Sequence, residues 1–223
     1  MLEAYVLHSI LYRETSLIVK FFTKEQGIVH LVARGAKRPK NSLNAILQPF
    51  VPLLINWKQQ SKDLATLYHA EAYDNPHKLT GFNLFGAIYI NELLLKLLAT
   101  MDQYSELFDY YKLLLINLEN NKTNKLDLEK HLRLIEKQII KAIGYELTFN
   151  SIDLNTRYSF NLEHGLHQSN SVITPSFNGA SLLALHNNSY ANDIERKEAK
   201  LFMRYVLSNF LGTQTINSKK LFV

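Results

Sequence analysis

Hydrophobic positions in the first third of the chain fall in short runs, many of them alternating with polar positions, as β-strands require. The runs are rich in β-branched and aromatic residues, and polar, turn-prone segments separate them. This pattern predicts five strands, over residues 2–11, 16–22, 27–33, 50–57 and 64–72. We expect this β-rich region to end near Asn75-Pro76, because the residue before a proline disfavours helix.

Five short strands within residues 1–78 are the usual content of a small closed β-barrel. Strand number alone does not separate an OB-fold from an SH3-like barrel. The connection between the third and fourth predicted strands, residues 34–49, is long enough for the short helix that an OB-fold often has there. We therefore predict an OB-fold domain over residues 1–78.

After residue 78 the hydrophobic period changes to the three- and four-residue spacing of amphipathic helices. The predicted helices cover residues 82–98, 107–118, 126–143, 179–186 and 193–210. Gly144 is suited to end the third of these helices, and Asp193 is suited to cap the start of the last.

A polar excursion, residues 150–178, interrupts the predicted helices. Within it, residues 157–160 and 165–169 have the pattern of a small hairpin, with an irregular excursion as the alternative. The whole chain is therefore expected to be an α+β protein of two domains, with an α-helical domain over residues 79–223.

The 223 residues include no cysteine, which excludes disulfides, thiolate nucleophiles and cysteine-bound zinc. We expect neither a metal nor another cofactor. The most apolar stretch, residues 93–99, is interrupted by Lys96 and is far shorter than a membrane span. The first residues also lack the basic and apolar regions of a secretory signal. These features predict a cytoplasmic protein with no membrane partner.

Positive charge is concentrated in the predicted barrel. Residues 1–78 carry ten Lys and Arg against six Asp and Glu, whereas residues 79–223 carry fifteen against fourteen. The segment 26–62 contains six Lys and Arg and no acidic residue. Such a segment attracts a polyanion or an acidic protein surface, and the alternative is a solvated loop that happens to be basic.

Four N-terminal segments carry a distinctive pattern: residues 5–8 (YVLH), 12–17 (YRETSL), 22–27 (FTKEQG) and 32–38 (VARGAKR). Further matches follow at Gln48-Pro-Phe50, Gly144-Tyr145, Gly165, Arg204-Tyr205, Leu211-Gly212 and Ser218-Lys219. In order and spacing these residues resemble the RecO family of recombination mediators over essentially the whole chain. Residues 12–17 and 33–38 are the specific part of the resemblance.

The resemblance implies an OB-fold joined to a helical domain, which binds single- and double-stranded DNA and anneals complementary strands. Such proteins work with RecR, and often RecF, to help RecA displace single-strand-binding protein (SSB), and they contact the acidic C-terminal tail of SSB. Many members carry a four-cysteine zinc site in the excursion, which this cysteine-free chain lacks. The final Ser-Arg of many members is Ser218-Lys219 here, and a lysine does not offer the two-pronged hydrogen bonding of an arginine.

The basic segment and the resemblance together assign the DNA contacts to the barrel. Long cationic side chains on an accessible surface bind phosphates and release condensed counterions, and aromatic rings on a barrel face can stack with bases. The residues expected to bind DNA are Arg13, Arg34, Lys37, Arg38, Lys40, Trp57, Lys58 and Lys62. Tyr12, Phe22 and Tyr68 are further stacking candidates. Burial in the barrel core is the alternative for all four rings, Trp57 included, and it is favoured for Phe22.

The third predicted helix has Arg133, Lys137 and Lys141 at four-residue spacing, which places them on one helix face. Beside a leucine-rich groove, such a basic ridge can receive an acidic peptide with a hydrophobic end, as the SSB tail is. The alternative is an ordinary exposed face on which Glu129 and Glu136 pair with these cations.

Signals for enzymatic chemistry are weak in this sequence. It has no phosphate-binding Gly-x-x-x-x-Gly-Lys loop and no nucleophile-elbow motif, and its acidic residues do not form the close set of a two-metal nuclease. His164 and His167 have only Glu163 nearby and are expected to be a surface pair. We predict a non-enzymatic DNA-repair mediator that associates with the nucleoid. An OB-type module for RNA or ribosomal partners and a metal-dependent nuclease are the alternatives.

Overall fold

The computed structural model describes residues 1–39, 41–58, 64–119, 124–169 and 175–222. The five predicted strands form, as β1 (Leu2–Tyr12), β2 (Ser16–Thr23), β3 (Gly27–Ala33), β4 (Leu53–Lys58) and β5 (Thr66–Ala72). A short helix, α1 (Leu43–Ile46), lies in the long connection between β3 and β4, as predicted. The fourth strand begins later than expected, after Phe50, whose φ is +67°, and after Pro52, which has no N–H for a strand ladder.

These strands close into a barrel in the order β1-β2-β3-β5-β4. Neighbouring strands are antiparallel except β3 and β5, which run parallel and pair at Val32 and Thr66. The barrel closes where Leu53 of β4 lies opposite Ala4 of β1. Residues that point into the barrel form its buried core, among them Val19, Phe21, Leu31, Leu53 and Ile55. The predicted OB-like barrel is therefore confirmed, and the strand order with α1 between β3 and β4 favours the OB-fold over the SH3-like alternative.

Two long helices follow the barrel, α2 (Gly81–Leu97) and α3 (Ser105–Glu119). Tyr5 and Phe22 are fully buried and pack against the rings of Phe108 and Tyr111 on α3, with ring centroids 5.3 to 5.9 Å apart. Aromatic pairs at this separation contribute stability beyond the area that they bury. Phe22 is therefore a core residue, which confirms the alternative that the sequence favoured.

Backbone contacts divide the chain into two compact units, residues 1–123 with 216–223, and residues 124–215. The first unit contains the barrel, α2 and α3. The position after residue 78 is where strands give way to helices in the structure. As a boundary between domains it stays a prediction. The two compact units divide the chain at a different position, because α2 and α3 pack on the barrel and so belong to the first unit.

The C-terminal segment of the first unit is a 3-10 helix, Ser218–Phe222, held by a carboxylate of α2. Glu92 accepts hydrogen bonds from the backbone N–H groups of Asn217 and Ser218, at 2.9 and 2.8 Å, and from the Ser218 hydroxyl. Burial opposes the ionisation of Glu92, but these hydrogen bonds outweigh it and lower its pKa to about 2. The carboxylate therefore caps the last helix in its charged form.

The described part of the second unit contains three helices and a small sheet. The helices are α4 (Lys125–Ala142), α5 (Gly179–His186) and α6 (Asp193–Leu211), and the strands are β6 (Arg157–Asn161), β7 (Gly165–Gln168) and β8 (Phe177–Asn178). The predicted hairpin is confirmed as β6 and β7, and β8 adds a third strand that the sequence did not predict. Aromatic rings of β6, β8 and α6 form the core of the second unit, where Phe202 contacts Phe160 and Phe177.

Asparagine side chains cap all three helices of the second unit. Asn124, Asn178 and Asn192 each accept a hydrogen bond from a backbone N–H in the first turn of the following helix. The predicted cap at Asp193 is wrong by one position, because Asn192 has the extended backbone and accepts from the Glu195 N–H. Gly144 follows α4 with a φ of +85°, as a helix-ending glycine does.

Gly27 provides a test of how the barrel meets the segment between α2 and α3. It has a φ of +57°, and a Cβ at this position would lie 1.9 Å from the carbonyl oxygen of Asp102. We predict that Gly27→Ala lowers the free energy of unfolding by about 3 kcal/mol or more, as the sum of a left-handed backbone and an unrelieved clash. Urea unfolding followed by circular dichroism measures the change.

Gly81 is the matched control, since it lies in the same unit and has a φ of +53°. Apart from its chain neighbours and the backbone of its own helix, no atom of the described residues lies within 4 Å of its Cβ position. Gly81→Ala should cost only the backbone term of about 1–2 kcal/mol. Equal losses for the two variants would contradict the close approach of Asp102 to the barrel.

Candidate nucleic-acid interface

The ends of the barrel strands meet in one row that crosses the sheet. Tyr12 at the end of β1 pairs with Ser16 of β2, and Ala33 at the end of β3 pairs with Leu17, the residue after Ser16. Val32 pairs with Thr66 at the start of β5, and Thr66 pairs in turn with Lys58 at the end of β4. Four steps between neighbouring strands give this row a path of about 19 Å along the curved wall of the barrel.

Five cationic side chains lie at the strand ends of this row or in the loops that continue them. They are Arg13 in the turn between β1 and β2, Arg34, Lys37 and Arg38 after β3, and Lys58 at the end of β4, and all are exposed. We call these five residues the cationic row. The barrel topology therefore brings together five of the eight side chains that the sequence predicted to bind DNA.

The loop after β3 is fixed to the turn between β1 and β2 by backbone hydrogen bonds. The Lys37 N–H donates to the Thr15 carbonyl at 2.9 Å, and the Gly35 N–H donates to the Ser16 hydroxyl at 3.3 Å. Ala36 is fully buried between two exposed cations. The loop is therefore anchored through its backbone and its one buried methyl group, while the long side chains on either side point to solvent.

Asn41 also shapes this loop, and the sequence reasoning missed it. Its side-chain amide donates to the Gly35 carbonyl at 2.9 Å, and its side-chain oxygen accepts from the Leu43 N–H at 2.9 Å. An asparagine that closes a polar run just before a short helix is the signal that could have identified it. Asn41 positions the loop that carries Arg34, Lys37 and Arg38.

The cationic row differs in its electrostatics from the cations elsewhere in the first unit. Lys24 pairs with Asp109 at 2.8 Å, and Lys112 pairs with Glu3 at 3.1 Å. Within the described ranges, none of the five row cations forms an ion pair. Glu14 is the one carboxylate in the described parts of the same loops. The row is therefore a surface of largely uncompensated positive charge.

The remaining predicted DNA contacts divide into two groups. Lys40 and Lys62 lie outside the described residues. Trp57 is described and is half-buried, with its side chain packed against the barrel core. Its indole is therefore in large part a core group, which leaves less of the ring exposed to a nucleic acid than the sequence suggested.

The basic ridge expected on α4 does not form as a set of three exposed cations. Arg133 is buried and donates from Nε to Glu136 at 2.6 Å, with a second bond from its terminal nitrogen. Lys137 donates from Nζ to the carbonyls of Leu185 and His186 at 2.8 and 3.1 Å, and burial lowers its pKa. Of the three, only Lys141 is exposed. The spacing placed them on one face, but most of that face is turned into the second unit.

The histidine pair in the hairpin shows no chelating geometry. The rings of His164 and His167 are 6.5 Å apart and perpendicular, and His167 Nδ1 is 3.0 Å from the Gly165 carbonyl. In the described portion of the chain, no three His, Asp or Glu side chains are grouped so that they could hold a metal ion. No helix of that same portion is long and apolar enough to cross a bilayer.

An OB-like barrel with a cationic surface, followed by helices and a small sheet, defines the class as an α+β protein of the OB type. Two family models match the chain: recombination protein O, N terminal, over residues 1–76, and recombination protein O, C terminal, over residues 79–152.

Curated relatives extend the similarity over nearly the whole sequence. A DNA repair protein RecO of Actinobacillus pleuropneumoniae serotype 7 is 36% identical over 99% of this chain and 93% of its own length. Those of Methylococcus capsulatus and Nitrosospira multiformis are 36% and 34% identical, over 99% and 98% of this chain and over 91% and 92% of their own lengths. The chain belongs to the RecO family of DNA repair proteins.

The buried pair on α4 gives a prediction about stability. Glu136→Ala leaves the Arg133 charge buried without its carboxylate partner, which typically costs about 3–5 kcal/mol of unfolding free energy. The double variant Arg133→Met with Glu136→Leu removes both charges and fills the space with apolar groups, so its loss should be smaller than that of the single variant. Urea unfolding of both variants and the wild type, followed by circular dichroism, measures the difference.

Lys141→Ala is the control, since Lys141 is on the same helix and exposed. Its stability should change by less than about 0.5 kcal/mol. A double variant that is less stable than Glu136→Ala would show that the buried charges are not the source of the loss.

Proposed function

We propose that this protein binds single- and double-stranded DNA through the cationic row, anneals complementary strands, and helps to load RecA onto SSB-coated single strands with RecR and, in some settings, RecF. The observation that carries the proposal is the row itself: five exposed cations at adjoining strand ends, with no ion-pair partner in the described chain. Family membership supports the setting, because the curated relatives carry the name DNA repair protein.

The proposed binding is electrostatic. Each phosphate that a lysine or arginine neutralises releases condensed counterions, and this release drives binding without regard to sequence. Backbone contacts hold the loop that carries Arg34, Lys37 and Arg38. Because the loop does not depend on ion pairs of these side chains, no internal ion pair has to break before they reach a phosphate.

Annealing follows from the same charges. Two complementary strands repel each other through their phosphates, and a surface that neutralises some of those phosphates lowers this repulsion. Base pairing between the strands then supplies the specificity. This mechanism needs no covalent step, and we propose that the protein is a mediator rather than an enzyme. Association with the nucleoid would follow from DNA binding of this kind.

A contact with the acidic SSB tail belongs to the same proposal, at the face of α4 that carries Arg133, Lys137 and Lys141. This contact has less structural support than the DNA contact, because Arg133 already donates to Glu136 and Lys137 already donates to backbone carbonyls. Of these three cations, Lys141 is the one whose side chain is exposed.

Neutralising the loop after β3 tests the DNA contact. In the triple variant Arg34→Gln, Lys37→Gln, Arg38→Gln, we expect weaker binding to single-stranded DNA because three phosphate contacts are lost. The slope of log affinity against log salt concentration should become shallower by about 2, at roughly 0.7 for each contact. Fluorescence anisotropy with a labelled oligonucleotide across a salt series measures both quantities.

A triple variant with the same loss of charge in the second unit is the control: Lys125→Gln, Lys197→Gln, Arg204→Gln, all at exposed positions. It should keep the wild-type slope. An RNA oligonucleotide of the same sequence, added as competitor, tests the RNA alternative. Equal loss of affinity in both triple variants would remove the DNA contact from the cationic row.

Strand annealing tests the mediator role. We expect the wild-type protein to accelerate annealing of complementary SSB-coated strands at low salt, and the acceleration should fade as salt screens the phosphate contacts. The loop triple variant should show little acceleration, whereas the control triple variant should behave as the wild type. Annealing of labelled strands, followed by energy transfer between dyes, measures the rate.

The same assay on strands without SSB separates the two steps. A protein that anneals naked strands but not coated strands would bind DNA without acting on SSB. Acceleration that does not change with salt would contradict the electrostatic mechanism.

A further inference from the structure

The fifth barrel strand contains a bulge beside the cationic row. Asn56 pairs with His69 and Trp57 pairs with Leu67, so one step along β4 corresponds to two steps along β5. Tyr68 is the extra residue and faces no partner on β4. Bulges of this kind redirect a side chain relative to the regular alternation of a strand, and they are frequent at barrel rims and near functional sites.

The bulge leaves two consecutive residues, Tyr68 and His69, on the outside of the barrel. Leu67 before it and Ala70 two positions after it are buried, whereas Tyr68 and its neighbour His69 are exposed. Tyr68 is 80% exposed, the largest exposed fraction among the large hydrophobic residues of the described chain. Within that same chain its ring makes no aromatic contact and its hydroxyl makes no hydrogen bond. A large ring with so little packing contributes almost nothing to the stability of the fold.

Cations of the row lie on both sides of this ring. On the β4 side, Lys58 pairs with Thr66, two residues before Tyr68. On the β3 side, Val32 pairs with the same Thr66, and the two strands are parallel. Arg34 lies two residues after Val32, and Tyr68 lies two residues after Thr66. Because the two strands are parallel, both steps run in the same direction. A strand whose phosphates contact Arg34 and Lys58 passes over Tyr68.

The other aromatic candidates are occupied by internal contacts. The guanidinium of Arg13 lies 5.2 Å from the centre of the Tyr12 ring, and Trp57 packs against the barrel core. Phe22 is fully buried under α3. Of the four rings that the sequence singled out, Tyr68 is the most exposed.

We infer that Tyr68 stacks with an unpaired base of a DNA strand whose phosphates lie on the cationic row, and that this contact makes the barrel favour single strands over duplex. The inference rests on the proposed function and adds its substrate class. In a duplex the bases are stacked on each other and paired, so their faces are closed to the ring, whereas a single strand offers them. Stacking is tolerant of sequence because every base has an aromatic face.

Binding of matched single-stranded and duplex oligonucleotides by Tyr68→Ala tests the inference. Affinity for labelled oligodeoxythymidine should fall by about fivefold or more, as expected for the loss of one stacked base, while affinity for a duplex of the same length stays unchanged. Tyr68→Phe should bind as the wild type, since the ring is retained. The salt slope of Tyr68→Ala should equal that of the wild type, because no phosphate contact is lost.

An oligonucleotide of the same length with abasic sites in place of its bases provides the internal control. Wild type and Tyr68→Ala should bind it equally. Phe82→Ala, which removes an exposed ring from α2, should leave all affinities unchanged. Thermal unfolding of each variant verifies the fold.

The outcomes separate this inference from the proposed function. If the wild type binds neither oligonucleotide, both fail. If the wild type binds and the loop triple variant is weakened, but Tyr68→Ala binds oligodeoxythymidine as the wild type does, only the stacking contact is overturned. An equal loss on duplex and single strand, or a loss in Tyr68→Phe as well, would also overturn it.

Discussion

Val32 and Thr66 pair where β3 and β5 run side by side, and the Val32 N–H donates to the Ala65 carbonyl at 2.9 Å. This parallel step joins the three-stranded meander β1-β2-β3 to the hairpin of β4 and β5, so without it the barrel would be an open sheet. It also sets the register of the two halves. A shift of one residue here would turn Thr66 and its neighbours to the opposite face of β5.

The same step explains why distant residues meet. Arg13 and Lys58 are far apart in sequence, yet each lies at a strand end that the ladder connects to Val32 or Thr66. The cationic row can be exposed to solvent because α2 and α3 cover a different part of the barrel, where Tyr5 and Phe22 are buried. One part of the barrel surface is thus committed to packing, and the cationic row is left to solvent.

Much of the fold could be predicted from the sequence, because strand alternation and leucine spacing are local signals. The five strands, the hairpin in the excursion and the five long helices all form within a few residues of the expected positions. What the sequence could not give is pairing across long distances. Lys137 donates to the carbonyls of Leu185 and His186, 48 and 49 positions away, which no local signal indicates. The pairing of Arg133 with Glu136 was the alternative that their spacing offered, and only the structure shows that the pair is buried. In the same way the bulge at Tyr68 depends on the register with β4.

Glu92 and the C-terminal 3-10 helix have a consequence for how the chain assembles. The carboxylate and the Ser218 N–H that it binds are 126 positions apart, and the whole second unit lies between them. Closing so long a loop is entropically costly, and contacts of high sequence separation form late. On the ribosome, the contact between α2 and Ser218 can therefore form only after the whole second unit has been synthesised.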